Sequence, residues 1–228
     1  PGPNSNGTGQ FGYVPMEYWQ ENFDAIQIGT ANGRIFCEAA GNGEQDLDSA
    51  VYGTTFDRNV RDSGAIMCGA ATSGAWPEWF TNYGSRVDVN GWGSQIVTCG
   101  YGNLQGGAEE VWYTNSFGGT SGASPIIVGS VMSLQGIVKS YSGSPLDAFT
   151  IRDALALTGS PQNGTNNVGP RPDILAAWNH VQTGIGTVEG TVSDLNGPIE
   201  GIAVSIQNAT TVTDNSGFYS ITTTAGTH

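Results

Sequence analysis

Two rhythms of apolar and polar positions run along this chain, and the change from one to the other falls near Gly184. Upstream, Trp19, Phe23 and Ile26 recur at helical spacing behind Pro15, and Gly33 supplies a stop, which predicts a helix from Pro15 to Asn32. Three short apolar runs follow, Arg34–Cys37, Ala65–Cys68 and Gln95–Cys99, each running into small residues or glycine. Short apolar runs separated by helices or long loops predict a parallel sheet with both faces covered. From Ser124 through Val138 the chain is apolar on most sides, with no charge before Lys139, so a helix in the centre of a domain is expected there. Pro125 would sit in its early turns, where a missing N–H costs nothing. Two more helices are predicted, Pro145–Thr158 and Pro172–Val181. Beyond Thr187, Thr, Val, Ile and Ser alternate between the turn signals Asn196-Gly197-Pro198 and Asp214-Asn215-Ser216-Gly217, the pattern of a small all-β module. The fold class read from these rhythms is α/β, a mostly parallel sheet flanked by helices over residues 1–184. Residues 185–228 form the β module.

Composition narrows the setting. The chain has 228 residues, 38% of them apolar, enough for a core, and no apolar run approaching the ~18–20 residues of a membrane helix. No membrane span is therefore expected. Twenty acidic residues against seven basic ones give a net charge of −13, which repels phosphate backbones and argues against nucleic acid as a partner. Few charges overall and abundant Gly, Ser, Thr and Asn suit a secreted or cell-surface protein. Asn6-Gly7-Thr8, Asn163-Gly164-Thr165 and Asn208-Ala209-Thr210 fit the N-glycosylation pattern. Cys37, Cys68 and Cys99 lie 31 residues apart without CxxC pairs, so zinc is not expected and buried free thiols are the leading reading.

The candidate chemistry lies in Phe117-Gly118-Gly119-Thr120-Ser121-Gly122-Ala123-Ser124-Pro125. A serine becomes a nucleophile when a base takes its proton and oriented donors stabilise the oxyanion. Ser121 stands ahead of an apolar helix, whose free N–H groups and dipole favour negative charge. An ordinary N-cap serine with glycines for the turn would explain the stretch equally well, and Ala123 breaks the GxSxG pattern of a hydrolase elbow. A second element is Asn42, delivered by Ala39-Ala40-Gly41-Asn42-Gly43 at the carboxyl end of a predicted strand, where open α/β sheets bind ligands.

Together these stretches resemble the subtilisin-like serine proteases. Gly119-Thr120-Ser121-Gly122-Ala123-Ser124-Pro125 is similar to that family's nucleophile motif, with Gly122 where Met is usual, and Ala39–Gly43 to its oxyanion-hole motif. Phe80–Val89 resembles its S-N-x-G-x-x-V-D-V stretch, and Gly169–Leu175 the start of a terminal helix. The resemblance implies that Ser121 attacks the scissile carbonyl and that Asn42 donates its amide to the oxyanion, helped by the Ser121 N–H. Ala39, Ala40 and Gly41 would line the pocket for the residue before the cut. Gly118 contributes space there, and Gly119 and Thr120 complete the substrate-binding turn. Polypeptides are the implied substrates, and no cofactor is required for the chemistry. A structural calcium ion is compatible with the family, but Glu44-Gln45-Asp46-Leu47-Asp48 lacks the Gly and terminal Glu of an EF-hand loop and reads as solvated. The family's triad runs Asp, His, Ser, which places the first two upstream of Pro1. The only histidines are His180, late in a predicted helix, and His228, so the chain alone is expected to be inactive. Residues 187–228 resemble a carboxypeptidase-regulatory β-sandwich, a spacer or adhesive appendage. The competing reading is an inactive relative that binds peptides or adheres to surfaces.

Overall fold

The computed structural model describes residues 1–206 and 209–224; Asn208 of the third glycosylation pattern and His228 lie outside them. Contacts divide the chain into two compact units. The first joins Pro1–Val131 to Asp147–Ile174, and the second joins Met132–Leu146 to the chain from Leu175 onward.

In the first unit a helix, α1 (Gln20–Ala31), leads into the strand β1 (Cys37–Ala39). β1 pairs in parallel with β2 (Ile66–Ala71), and β2 with β3 (Val89–Trp92), in the order β1-β2-β3. Every residue of β2 is buried, as befits a central parallel strand covered on both faces. Ala40, Leu47, Tyr52, Phe56, Met67, Val87 and Val168 form one core cluster. The Tyr52 ring meets Phe56 edge-on at 5.4 Å between centroids.

Beneath this core lies an ionic network that the apolar pattern does not announce. Arg86 is fully buried; its Nε meets Glu17 Oε1 at 2.6 Å and its Nη1 meets Asp88 Oδ2 at 2.8 Å. Ser63 Oγ donates to Glu17 Oε2 at 2.8 Å, and Met67 N to Asp88 Oδ2 at 2.7 Å. Arg58 closes on Asp88 Oδ1 at 2.6 Å. Burial works against the Arg86 charge, but Asp88 and Glu17 outweigh it and hold the guanidinium above its ordinary pKa. Such a network fixes geometry more than it adds stability. It clamps the segment before α1 to the chain entering β3.

Several sequence expectations are corrected here. The third parallel strand is β3, whereas Gln95–Cys99 contributes β4 (Ile96–Cys99), which pairs antiparallel with β5 (Tyr113–Phe117). β3 reads Val-Asn-Gly-Trp, so its apolar run is broken and invisible to periodicity. Asn90 is nonetheless buried, its N–H donating to Pro170 O at 2.9 Å and its Nδ2 to Gly169 O at 2.6 Å. Cys68 is buried and Cys37 half-buried, but Cys99 is exposed on the edge ribbon; all three are free thiols. The predicted first helix splits: Met16–Tyr18 is a 3₁₀ turn, Trp19 is extended, and α1 begins only at Gln20.

α2 spans Thr120–Ser142, so it starts four residues earlier than expected. Pro125 is then its sixth residue, where the missing N–H would have reached the Ser121 carbonyl, and one helical bond is lost. The helix is not buried all round. Ala123, Ile127, Val131, Leu134 and Val138 form a buried stripe, while Met132 and Tyr141 are 69% and 63% exposed. By length and composition alone α2 is long and apolar enough to cross a membrane, a test that a core helix passes equally.

α3 (Ala148–Thr158) belongs to the first unit and is capped by Asp147, whose side chain accepts from Phe149 N and Thr150 N. In the second unit, Gln135 holds Leu146 through both its N–H and its carbonyl. Tyr141 packs edge-on against Trp178 of α4 (Ile174–Gln182). Strands follow: β6 (Ile185–Thr191), β7 (Ser193–Asp194), β8 (Gly197–Pro198), β9 (Ala203–Ile206), β10 (Ala209–Val212) and β11 (Phe218–Thr224). β6 pairs antiparallel with β11, β7 with β8 and β9 with β10.

Candidate active site

β1 ends at Ala39 and hands the chain to a loop wound around one side chain. Asn82 is fully buried; its Nδ2 donates to Ala40 O at 2.6 Å and Tyr13 O at 2.8 Å. Its Oδ1 accepts from Gly43 N at 3.1 Å and Gln45 N at 2.9 Å. Gly41 adopts φ 94°, and a Cβ there would lie 2.7 Å from Asn82 Nδ2, so the loop tolerates only glycine at that point. Ala40 is buried, while Ala39, Gly41 and Asn42 are half-buried along the same edge.

Asn42 reaches from this loop to the start of α2. Its Oδ1 accepts from Thr120 N at 2.9 Å and Thr120 Oγ1 at 2.8 Å, and Thr120 Oγ1 in turn accepts from Gly41 N at 3.1 Å. The two loops carrying the expected site residues are thus stitched together, although 78 residues separate Asn42 from Thr120. Asn42 Nδ2 donates to Gln10 Oε1 at 3.2 Å rather than toward the serine hydroxyl. The orientation follows from Thr120, which presents two donors that only the carbonyl end of the amide can satisfy. A Cβ on Gly119 would sit 3.0 Å from Asn42 Nδ2, so the amide edge flanks the turn holding Ser121.

On its other side the turn rests on the chain after β3. Gly119, at φ 85°, donates its N–H to Gly93 O at 2.8 Å, and a Cβ on Gly118 would lie 2.7 Å from the same carbonyl. A Cβ on Gly122 would crowd Ile96 Cδ1, the flexible end of a side chain on β4. Ser121 itself is exposed in the first turn of α2, and its hydroxyl has no hydrogen-bond partner among the described residues. First-turn N–H groups lack helical acceptors, so the Ser121 N–H points donor capacity at the same region. The start of α2 offers an exposed hydroxyl and a backbone donor, with the Asn42 carboxamide anchored to the adjoining Thr120. His180 is exposed in the last turn of α4, which belongs to the other unit.

Sequence reasoning overlooked the groups behind the loop. Glu38, in β1 one residue before Ala39, is buried; its Oε1 accepts from Glu17 N at 2.9 Å and its Oε2 has no partner among the described residues. Burial first, and the nearby Glu17 second, push its pKa up to about 7. Asn82 was visible as part of a motif, but nothing in its spacing marks it as the organiser of the Asn42 loop. Asp48 accepts from Ser85 N and Oγ, and among the described residues no group of three or more His, Cys, Asp or Glu could hold a metal.

A covered parallel sheet thus stands beside a serine at a helix start, in a turn tied to an asparagine loop. A profile of the subtilase family (Peptidase_S8) matches residues 4–178, and the chain belongs to that family of serine peptidases. α2 accordingly opens within a subtilase domain. The chain is 30% identical over 135 residues to the sexual differentiation process subtilase-type proteinase isp6 of Schizosaccharomyces pombe, covering 59% of this chain and 25% of that protein. Among solved structures it resembles the self-cleaved protease domain of PatA, with a TM-score of 0.52, 21% identity, and 70% and 54% of the two chains covered. The PatG macrocyclase domain aligns with a TM-score of 0.53, 22% identity, and 72% and 48% covered. A protease of Pseudoalteromonas arctica PAMC 21717 aligns with a TM-score of 0.52, 18% identity, and 71% and 47% covered. The chain spans a quarter of the curated relative and about half of each of these solved chains.

Proposed function

We propose that this chain carries the nucleophile half of a secreted serine endopeptidase. Ser121 Oγ attacks the scissile carbonyl and gives its proton to a histidine base that the family resemblance places upstream of Pro1. The resulting oxyanion receives hydrogen bonds from the Ser121 N–H and the Asn42 amide, and collapse expels the amine and leaves an acyl-enzyme on Ser121. Ala39, Ala40, Gly41 and Gly118–Thr120 form the wall along which the polypeptide lies. We read residues 1–184 as the peptidase part and 185–228 as a spacer or adhesive appendage, and the chain alone as inactive. The observation that carries the reading is the lock between Asn42 Oδ1 and Thr120, which holds the Asn42 side chain at the turn of the exposed Ser121, while Gln10 takes only one of its two amide N–H groups and leaves the other for the oxyanion.

The test is casein hydrolysis by the full-length protein. Ser121→Ala abolishes turnover with the melt unchanged. Asn42→Asp keeps an acceptor for Thr120 but removes the amide donor, and lowers kcat by the ~10²–10³-fold known for losing the corresponding asparagine amide in a subtilase. Undiminished turnover by Ser121→Ala moves the chemistry elsewhere.

A further inference from the structure

Among the described residues the Asn42 Nδ2 has one partner, the Oε1 of Gln10 at 3.2 Å. Gln10 belongs to neither site loop and is exposed. Its place is set by the backbone that follows it. Tyr13 N donates to Gln10 O at 3.0 Å and closes a turn, and Gly12 N donates to Gly43 O at 3.0 Å. Tyr13 O accepts from Asn82 Nδ2, the same buried amide that winds the Asn42 loop. A Cβ on Gly43 would collide with the Tyr13 carbonyl, so the two segments lie in direct contact. Val14 then packs against the core cluster. Residues 10–14 are thus a strap fastened to the residue after Asn42, to Asn82 and to the core, with Gln10 at its head.

The contact uses the carboxamide in a specific way. An asparagine side chain has two lone pairs on oxygen and two N–H groups. Thr120 N and Oγ1 take the lone pairs of Asn42 Oδ1, and Gln10 takes one N–H. One N–H remains. Thr120 grips only the oxygen end, about which the nitrogen end could swing. Gln10 supplies a second fixed point at the other end of a planar group and stops that swing. A donor held in place before charge develops costs no reorganisation when the oxyanion forms. A neutral acceptor also suits the place. Glu would set a negative charge beside the developing oxyanion, and Lys or Arg would offer nothing to accept the bond.

We propose that Gln10 is a positioning residue for hydrolysis at Ser121, its Oε1 holding the Asn42 carboxamide so that the second Nδ2 N–H meets the oxyanion. The proposal rests on the endopeptidase reading of Ser121 and Asn42. The test is steady-state kinetics of the full-length protein on a peptide p-nitroanilide. Gln10→Met keeps the length of the side chain and removes the acceptor. It should lower kcat by about two- to tenfold, the worth of one hydrogen bond, and leave KM and the melt unchanged. In an Asn42→Ala background the same substitution should change nothing further, because Gln10 acts through Asn42. An equal fall of kcat in that background would make its role merely structural and overturn the proposal. A rise of kcat in Gln10→Met would show that Gln10 competes with the oxyanion for the amide, and overturns it too. Ser121→Ala is measured alongside. Turnover that is absent, or that survives Ser121→Ala, removes the hydrolytic reading and the role of Gln10 with it. Turnover that needs Ser121 but is unchanged in Gln10→Met overturns the positioning role alone.

Discussion

Two loops in this chain are each organised by a single short polar side chain, and they differ in where that side chain sits. Asn82 is sealed in the first unit and bonds backbone at Tyr13, Ala40, Gly43 and Gln45. Asp214, in the second unit, is exposed and accepts only from its near neighbours, Ser216 N, Ser216 Oγ and Phe218 N. The local device is the same: a side chain standing in for the backbone partners a turn lacks. The consequence is opposite. Water can replace an exposed carboxylate at little cost, whereas nothing replaces a buried amide, and its four partners would be left desolvated. An amide is also required in the first case, because a carboxylate cannot donate to Ala40 and Tyr13.

The largest effect that would test this contrast comes from Asn82→Leu. Unpaired buried groups cost ~1–3 kcal/mol each, so the four partners imply a loss of about 4 kcal/mol or more in urea unfolding, with hydrolysis lost as the Asn42 loop drifts. A melt like that of the parent would remove the distinction between the two loops. Next is Glu38→Gln, which probes the same loop through its charge. The folded pKa of Glu38, about 7, lies above the ordinary carboxylate value of 4.5, so the folded state holds the proton more tightly. Stability therefore falls as pH rises from about 4.5 to about 7 and stays lowered above that. Glu38→Gln should then stabilise the protein by ~3 kcal/mol at pH 8 and change little at pH 4, read from paired unfolding curves. Equal effects at both pH values would show that Glu38 titrates alike in the folded and unfolded chain. Smallest is Asp214→Ala, which should leave global unfolding unmoved and only speed amide exchange at Ser216 and Phe218. Hydrogen bonds from Ser216, then Phe218, hold the Asp214 pKa below its usual value. Wild-type exchange at those amides should accordingly rise only once pH falls through that lowered value, and a fall in global stability would make the exposed turn as consequential as the buried one.

What the sequence made legible tracks how local each feature is. β2 was visible because all of its residues are buried and apolar or small, and α3 because Asp147 caps it from the next residue. β3 was not, since Asn90 and Gly91 owe their places to Gly169, Pro170 and Ala123, partners far away in the chain. Ser121 and Asn42 were named from their motifs, yet the bond that unites their loops runs through Thr120, and the amide end of Asn42 turns to Gln10. Nothing in the spacing of Glu17, Arg86 and Glu38 marks them for burial, because burial of a charge is decided by what closes over it. The exposed side of α2 escaped notice for the converse reason: composition alone cannot say which face of an apolar helix meets a neighbour.

The stitch between the two site loops also carries a timetable. Asn42 waits for Thr120, 78 residues later, and Asn90 waits for Gly169, 79 residues later. Closing such loops exacts chain entropy before any contact rewards it, and folds dominated by distant pairings form slowly. A chain emerging from the ribosome at ~5–20 residues per second has its Asn42 segment in solvent for several seconds before its partner exists. The nucleophile turn therefore closes only after the parallel strands before it have emerged, and the bond from Asn90 to Gly169 closes later still.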